Sequence, residues 1–160
     1  MNKQLWAPWR DAVIYHRTTK RCIFCTKPKE RKDAKNYIFM RRRYTFAMLN
    51  LYPYNNGHIM VVPYRHVKSL QALTQKELSA LVQHLRDCEK LLREVLKPHG
   101  FNIGLNVGRA AGAGFENHIH FHIVPRWNGD TNYMPVLSGV KIISESLNTF
   151  YQKVHDADVC

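Results

Sequence analysis

Over residues 74–97 the apolar positions recur at steps of three and four: Leu78, Leu81, Val82, Leu85, Cys88, Leu92, Val95 and Leu96. Lys76, Glu77, Arg86, Lys90 and Glu94 fall on the other faces, so the pattern predicts an amphipathic helix. Thr74 and Glu77 have the spacing of a capping box, and Pro98 and Gly100 end the element. Cys88 lies in the apolar stripe and reads as a small core residue. Upstream the period is that of strands. Residues 37–40 and 45–51 are short runs of β-formers joined by Arg41, Arg42 and Arg43. The turn-rich Y-P-Y-N-N-G then leads into H-I-M-V-V-P, a strand over residues 58–63 that forms a hairpin with the run before it. With a period of two, Met48 and Asn50 share one face of the first hairpin strand, and His58 and Met60 share one face of the second. Two polar groups and two methionines thus converge on one surface. Residues 101–107 and 136–143 predict two further strands. Residues 144–155 predict a last helix with Leu147, Phe150, Tyr151 and Val154 turned inward.

One strand differs from the rest in what it alternates. In N-H-I-H-F-H-I-V-P-R-W, residues 117–127, His118, His120 and His122 interleave with Ile119, Phe121 and Ile123. Successive strand side chains point to opposite faces, so the three imidazoles share one side and the other is apolar. Pro125, which has no N–H to give to a ladder, is expected to stop the run. Just before it, Asn106 opens G-R-A-A-G-A-G, whose Gly112 and Gly114 would let backbone approach whatever the histidines touch. A glycine-rich loop of this form matches no Walker or dinucleotide fingerprint, so only its position gives it meaning.

Composition narrows the class. At 160 residues the chain is expected to form one domain, and its apolar share of 45% is that of a soluble globular protein. No apolar run approaches the ~20 residues that span a bilayer, and the start has no secretory h-region, so a cytoplasmic protein is expected. Residues 1–20 carry L-W-A-P-W, a rigid aromatic segment expected to dock on the domain or on a second subunit. A net charge of +12 does nothing for the fold and calls either for a solvated basic surface or for an anionic partner. Much of it lies in Lys20, Arg21, Lys27, Lys29, Arg31, Lys32, Lys35 and the three arginines. Cys22 and Cys25 form C-I-F-C, which suggests a redox pair or half of a metal site; no βαβ context supports the first, and the second needs two more ligands.

Two chemistries fit three aligned imidazoles. As a joint metal site they are poorly spaced, because same-face neighbours on a strand are about 6.6–6.8 Å apart whereas Zn–N bonds are about 2.0–2.1 Å. In the other, one histidine attacks phosphorus and another donates to the same phosphate. Asn50, His58, Asn106 and the glycine-loop amides would then stabilise the oxygens. This reading uses more of the chain.

H-I-H-F-H-I-V resembles the signature of the histidine triad (HIT) family. The match extends to F-A-M-L-N-L-Y-P-Y-N-N-G-H-I-M-V-V-P-Y-R-H-V and G-L-N-V-G-R-A-A-G-A-G, covering residues 22–127 and leaving 128–160 as a C-terminal strand and helix. L-W-A-P-W-R, C-I-F-C and P-R-W-N-G-D-T-N-Y-M-P look like the branch that includes diadenosine tetraphosphate phosphorylases. The resemblance implies an α+β fold, an antiparallel sheet with one long helix and a short C-terminal helix, assembled as a homodimer. It implies cleavage of dinucleoside polyphosphates at the α-phosphate, with His120 forming a nucleotidyl intermediate and His122 contacting the reacting phosphate. Asn50, His58 and Asn106 match substrate-side positions, Met48 and Met60 the nucleobase pocket, and Gly112 and Gly114 the phosphate loop. A structural zinc on Cys22, Cys25, His66 and His118 is implied, with no organic cofactor. Two other expectations remain open: a nucleic-acid-directed enzyme or binder that removes adenylate, suggested by the basic surplus, and a nucleotide-binding scaffold with weak chemistry.

Overall fold

The structure is a computed structural model describing residues 21–131 and 142–158. The expected docking segment 1–20 lies outside the described residues, as do Cys160 and residues 136–141 of the expected strand 136–143. Ile23–Thr26 (α1) and Asp33–Asn36 (α2) are single helical turns, separated by a 3₁₀ turn at Lys27–Glu30. Five strands follow, Ile38–Arg41 (β1), Thr45–Leu49 (β2), Ile59–Pro63 (β3), Gly100–Leu105 (β4) and Phe121–Arg126 (β5), with Gln75–Leu96 (α3) between β3 and β4 and Leu147–Asp158 (α4) at the end. All pairings are antiparallel, in the order β1-β2-β3-β5-β4.

The alternation seen in the sequence assigns the two faces of this sheet. Ala47, Leu49, Ile59, Val61 and Ile123 point one way and are buried against Cys88, Leu91 and Leu92 of α3 and Phe150, Tyr151 and Val154 of α4. Cys88 is thus a core residue, as its place in the stripe predicted. Ile38, Phe46, Met48, Met60 and Val62 point the other way and close over Phe24 of α1. β1 carries a register shift between Ile38 and Met40, and this bulge lets Phe39 and Met40 both reach the helical face.

The histidine strand differs from expectation at both ends. Pro125 does not stop the histidine strand: Phe101 pairs with Pro125, and Gly100 pairs with Arg126. By that point β3 has ended, its last pair being Ile59 with Ile123. The Pro125 carbonyl faces the vacated side and accepts from Asn55 Nδ2 at 3.0 Å. In a strand the N–H and C=O of one residue point to the same edge, so proline's missing donor costs no ladder bond here. At its other end the strand begins only at Phe121; His118 and His120 precede the ladder. A backbone bond from Ile119 N to Val67 O, 2.8 Å, holds this lead-in.

α3 starts as predicted. Glu77 N donates to Thr74 Oγ1 at 3.3 Å, and Thr74 N donates to Glu77 Oε2 at 2.8 Å. Arg65 grips the same carboxylate at 2.7 and 2.6 Å and, with the cap, holds the Glu77 acid down to about 2. We expect Thr74→Ala to cost about 1 kcal/mol, seen as a lower midpoint in urea unfolding without a change of slope. The hairpin loop meets the end of this helix at Gly57, whose φ is +74°. A Cβ there would collide with Leu96 Cδ1 and lie 3.0 Å from Pro125 Cγ, so only glycine fits.

Candidate active site

The site lies on the sheet face opposite α3 and α4. Met48 pairs with Met60, which puts the two methionines on one face as the alternation predicts, and the pairing of Met60 with His122 makes it the histidine face. They are 1% and 6% exposed and belong to the core beneath Phe24, so they back the site from inside. Asn50 and His58 meet beyond the ends of β2 and β3. Asn50 N donates to the His58 carbonyl at 3.1 Å, and Asn50 Nδ2 lies almost equally far from both ring nitrogens of His58, 3.4 Å from Nδ1 and 3.3 Å from Nε2.

Hydrogen bonds from groups that can act in only one way set the tautomer of each histidine. A backbone amide only donates, so Tyr54 N, 3.0 Å away, makes His58 Nδ1 an acceptor. Burial pushes the His58 imidazole down to about 3, so it is neutral and its single proton is on Nε2. That proton goes to His122 Nδ1 at 2.9 Å. His122, held by burial at about 4, therefore keeps its own proton on Nε2, a buried atom with no partner among the described residues. His120 is arranged the opposite way. Its Nδ1 donates to the His118 carbonyl at 2.9 Å, which leaves the Nε2 lone pair uncommitted. Burial also lowers the His120 pKa and keeps that lone pair unprotonated. The two rings stand 4.9 Å apart at 74°. One nucleophilic nitrogen and one N–H donor are thus presented side by side.

The first histidine faces away from this pair. His118 Nε2 donates to Pro63 O at 2.8 Å, which turns Nδ1 towards Cys22 Sγ at 3.4 Å and Cys25 Sγ at 3.5 Å. His66 Nδ1 stands 3.2 Å from Cys25 Sγ, and all four donor atoms lie within 4.8 Å of one another. Bonds of ~2.3 Å to sulfur and ~2.0–2.1 Å to nitrogen give tetrahedron edges of roughly 3.3–3.8 Å, so these residues fit a four-coordinate metal. The Pro63 carbonyl supplies the outer hydrogen bond that orients such a ligand.

Part of the glycine loop is closed on itself. The amides of Ala111, Gly112 and Ala113 bond back to the carbonyls of Gly108 and Arg109 at 2.9–3.3 Å, so they are spent within the loop. Gly112 has φ +83°, and a Cβ on it would meet Asn106 Nδ2 at 3.9 Å; around Gly114 there is open space. Part of the basic cluster is structural as well. Arg41 holds Asp33 through two 2.7 Å bonds and Pro28 O through one of 3.0 Å, pinning α2 to the sheet edge.

Three aromatic residues at the site had no sign in the sequence reading. Phe24 packs on His120 at 4.8 Å and on His118 at 5.4 Å, and Phe115 meets Phe24 edge-on at 5.4 Å. Tyr54 lies over His58 at 4.5 Å and His122 at 5.7 Å. Phe24 was hidden between two cysteines, and Tyr54 within a stretch that reads only as a turn.

A five-stranded antiparallel sheet that sets a histidine with an uncommitted lone pair beside a histidine with an unpartnered N–H, and holds a separate Cys₂His₂ cluster, marks a histidine-centred class of protein. A HIT domain is matched over residues 31–129, and the chain belongs to the HIT family. It is 37% identical over 153 residues to an AP-4-A phosphorylase of Mycobacterium tuberculosis, covering 91% of this chain and 78% of that one. It is 36% identical over 93 residues to the asymmetrical bis(5'-nucleosyl)-tetraphosphatase of Schizosaccharomyces pombe, covering 58% of this chain and 50% of the relative. Among solved structures, a zinc-bound histidine triad family protein from Mycobacterium smegmatis superposes with a TM-score of 0.68 at 25% identity, over 85% of this chain and 91% of that one.

Proposed function

We propose that this protein cleaves dinucleoside polyphosphates of the diadenosine tetraphosphate type at the α-phosphate through a nucleotidyl-histidine on His120. The observation that carries the reading is the pair of opposed tautomers, a free lone pair on His120 Nε2 and an unpartnered N–H on His122 Nε2. In the first half-reaction His120 Nε2 bonds to the α-phosphorus. The bond to the bridging oxygen breaks, and its electron pair leaves with the polyphosphate, steadied by the His122 N–H. In the second, phosphate or water attacks the same phosphorus and His120 leaves. Asn50, His58 and Asn106 serve the substrate side, Gly112 and Gly114 leave room for phosphate, and Met48 and Met60 back the nucleobase pocket. The names of the M. tuberculosis and S. pombe relatives support the substrate class.

Incubation with diadenosine tetraphosphate, with and without inorganic phosphate, tests the reading. ADP plus ATP formed only with phosphate identifies a phosphorylase, and AMP plus ATP a hydrolase. Tight mononucleotide binding with no product from any dinucleotide would instead favour a scaffold.

The four-residue cluster is proposed to hold a structural zinc, which ties α1 to the lead-in of β5 that carries His120. Its role is confined to the fold. The chain is proposed to act as one domain in the cytoplasm, where Cys22, Cys25 and Cys88, none of them in a disulfide, stay reduced. No helix among the described residues is long and apolar enough to cross a membrane. Dimerisation is proposed through β4, an edge strand whose Ile103 is exposed. Light scattering is expected to give twice the mass of the 18.8 kDa chain.

The pH dependence follows from the relay. His58 and His122 both have depressed values, so their contribution to stability is complete above the free-imidazole value of ~6.5 and is lost as pH falls through about 4 and then about 3. Protonating His122 also places a proton on Nδ1, the atom that accepts from His58. For loss of this relay, we expect the acid limb of kcat to lie near pH 4; a kcat profile recorded from pH 4 to 8 checks this.

A further inference from the structure

The rings on the histidine face form a continuous series. Phe115 meets Phe24, Phe24 meets His120, His120 meets His122, His122 meets His58, and His58 meets Tyr54, each at 4.5–5.4 Å between centroids. The reacting phosphorus must sit at His120, and the bridging oxygen at the His122 N–H. In an in-line displacement the leaving polyphosphate departs away from the nucleophile, and along this series the direction away from His120 past His122 leads to Tyr54.

Tyr54 has properties that packing does not explain. Its side chain is 55% exposed, although it comes from a loop otherwise well tied down. Asn55 Nδ2 bonds to Pro125 O at 3.0 Å and to Asp130 Oδ2 at 2.8 Å, and Asn56 and Ser144 exchange two bonds, at 2.6 and 3.2 Å. The backbone at Tyr54 is fixed as well, because its amide donates to His58. That bond needs no particular side chain. A rigid loop therefore holds a largely solvent-facing phenol ring at the leaving-group end of the site.

We propose that Tyr54 is a specificity-determining residue, the stacking platform for the second nucleobase, the one that leaves with the polyphosphate. An aromatic face accepts any base, and loss of one base–aromatic stack is worth ~1–3 kcal/mol, or roughly 5- to 150-fold in binding. Tyr54 thereby favours substrates with a nucleoside at both ends over those that end in phosphate. This inference rests on the proposed cleavage reaction and adds to it the element that recognises the far end of the substrate.

Diadenosine tetraphosphate and adenosine 5′-tetraphosphate share chain length and differ in the second nucleoside, so the ratio of their kcat/KM values isolates it. Tyr54→Ala is expected to lower that ratio at least fivefold, mainly through KM for the dinucleotide, and Tyr54→Phe and Tyr54→Trp to restore it. An equal fall with both substrates would mean that Tyr54 only supports His58, and an unchanged ratio would mean no stacking; either overturns the proposal while leaving the reaction intact. A wild-type protein that turns over neither compound overturns the reaction, and this inference with it.

Discussion

His120→Ala lowers kcat/KM for diadenosine tetraphosphate by about 10⁴-fold or more, the largest effect expected of any single substitution in this chain. Alanine removes the nitrogen that the hydrogen bonds leave as a bare lone pair beside the His122 N–H. His122 cannot take over, because its Nδ1 is occupied by His58 and its Nε2 carries the proton. Rapid quench followed by intact-mass measurement is expected to trap an adenylyl group on wild type and none on the variant. Turnover within tenfold of wild type, a change of only ~1.4 kcal/mol in the barrier, would remove His120 from the mechanism.

Loss of the metal cluster is expected to have the second largest effect, and to act on the fold first. Cys25 Sγ approaches both His66 and His118, so Cys25→Ser weakens contacts across three separate parts of the chain. Metal binding of this kind is folding free energy: about 10–16 kcal/mol in isolated zinc-finger peptides, and less here, where the sheet has an apolar core of its own against α3 and α4. We expect the variant, or wild type treated with a strong chelator, to lose bound zinc by elemental analysis and to melt at least 10 °C lower by calorimetry. Phe24, buried beside His120, would then be exposed as α1 detaches. A purified protein without zinc, and with a melting point indifferent to chelator, would contradict the assignment.

Periodicity carried the architecture. α3 begins at the Thr74 cap, and the alternation in β2 and β3 predicts the shared face of Met48 and Met60 that their register shows. Those signals come from burial, which the local sequence records. Bonds to residues far along the chain leave no such record. His118 and His120 precede the ladder because Val67 pairs with Ile119, and Pro125 continues it because β3 has already ended. His84 was unforeseen for the same reason. It is 1% exposed, bonds through Nδ1 to Thr45 Oγ1 at 2.7 Å, and is pushed down to about 4 by burial. In the helical pattern it sits one position before Leu85, with nothing to mark Thr45 as its partner.

The division of labour among the histidines depended equally on remote partners. Alternation makes His118, His120 and His122 equivalent. The Pro63 carbonyl and the Tyr54 amide make them different, and both come from the hairpin.

Gly57 fills the single spot where the end of α3, the catalytic strand and the His58 loop touch, with Leu96 on one side and Pro125 on the other. Drift at either of those two residues is therefore constrained by a position that has no side chain of its own. Relatives that lengthen the hairpin loop would have to do so between Tyr52 and Asn56, before the glycine. The evolutionary room for changing which substrates are accepted thus lies on one side of the loop, the side that holds Tyr54.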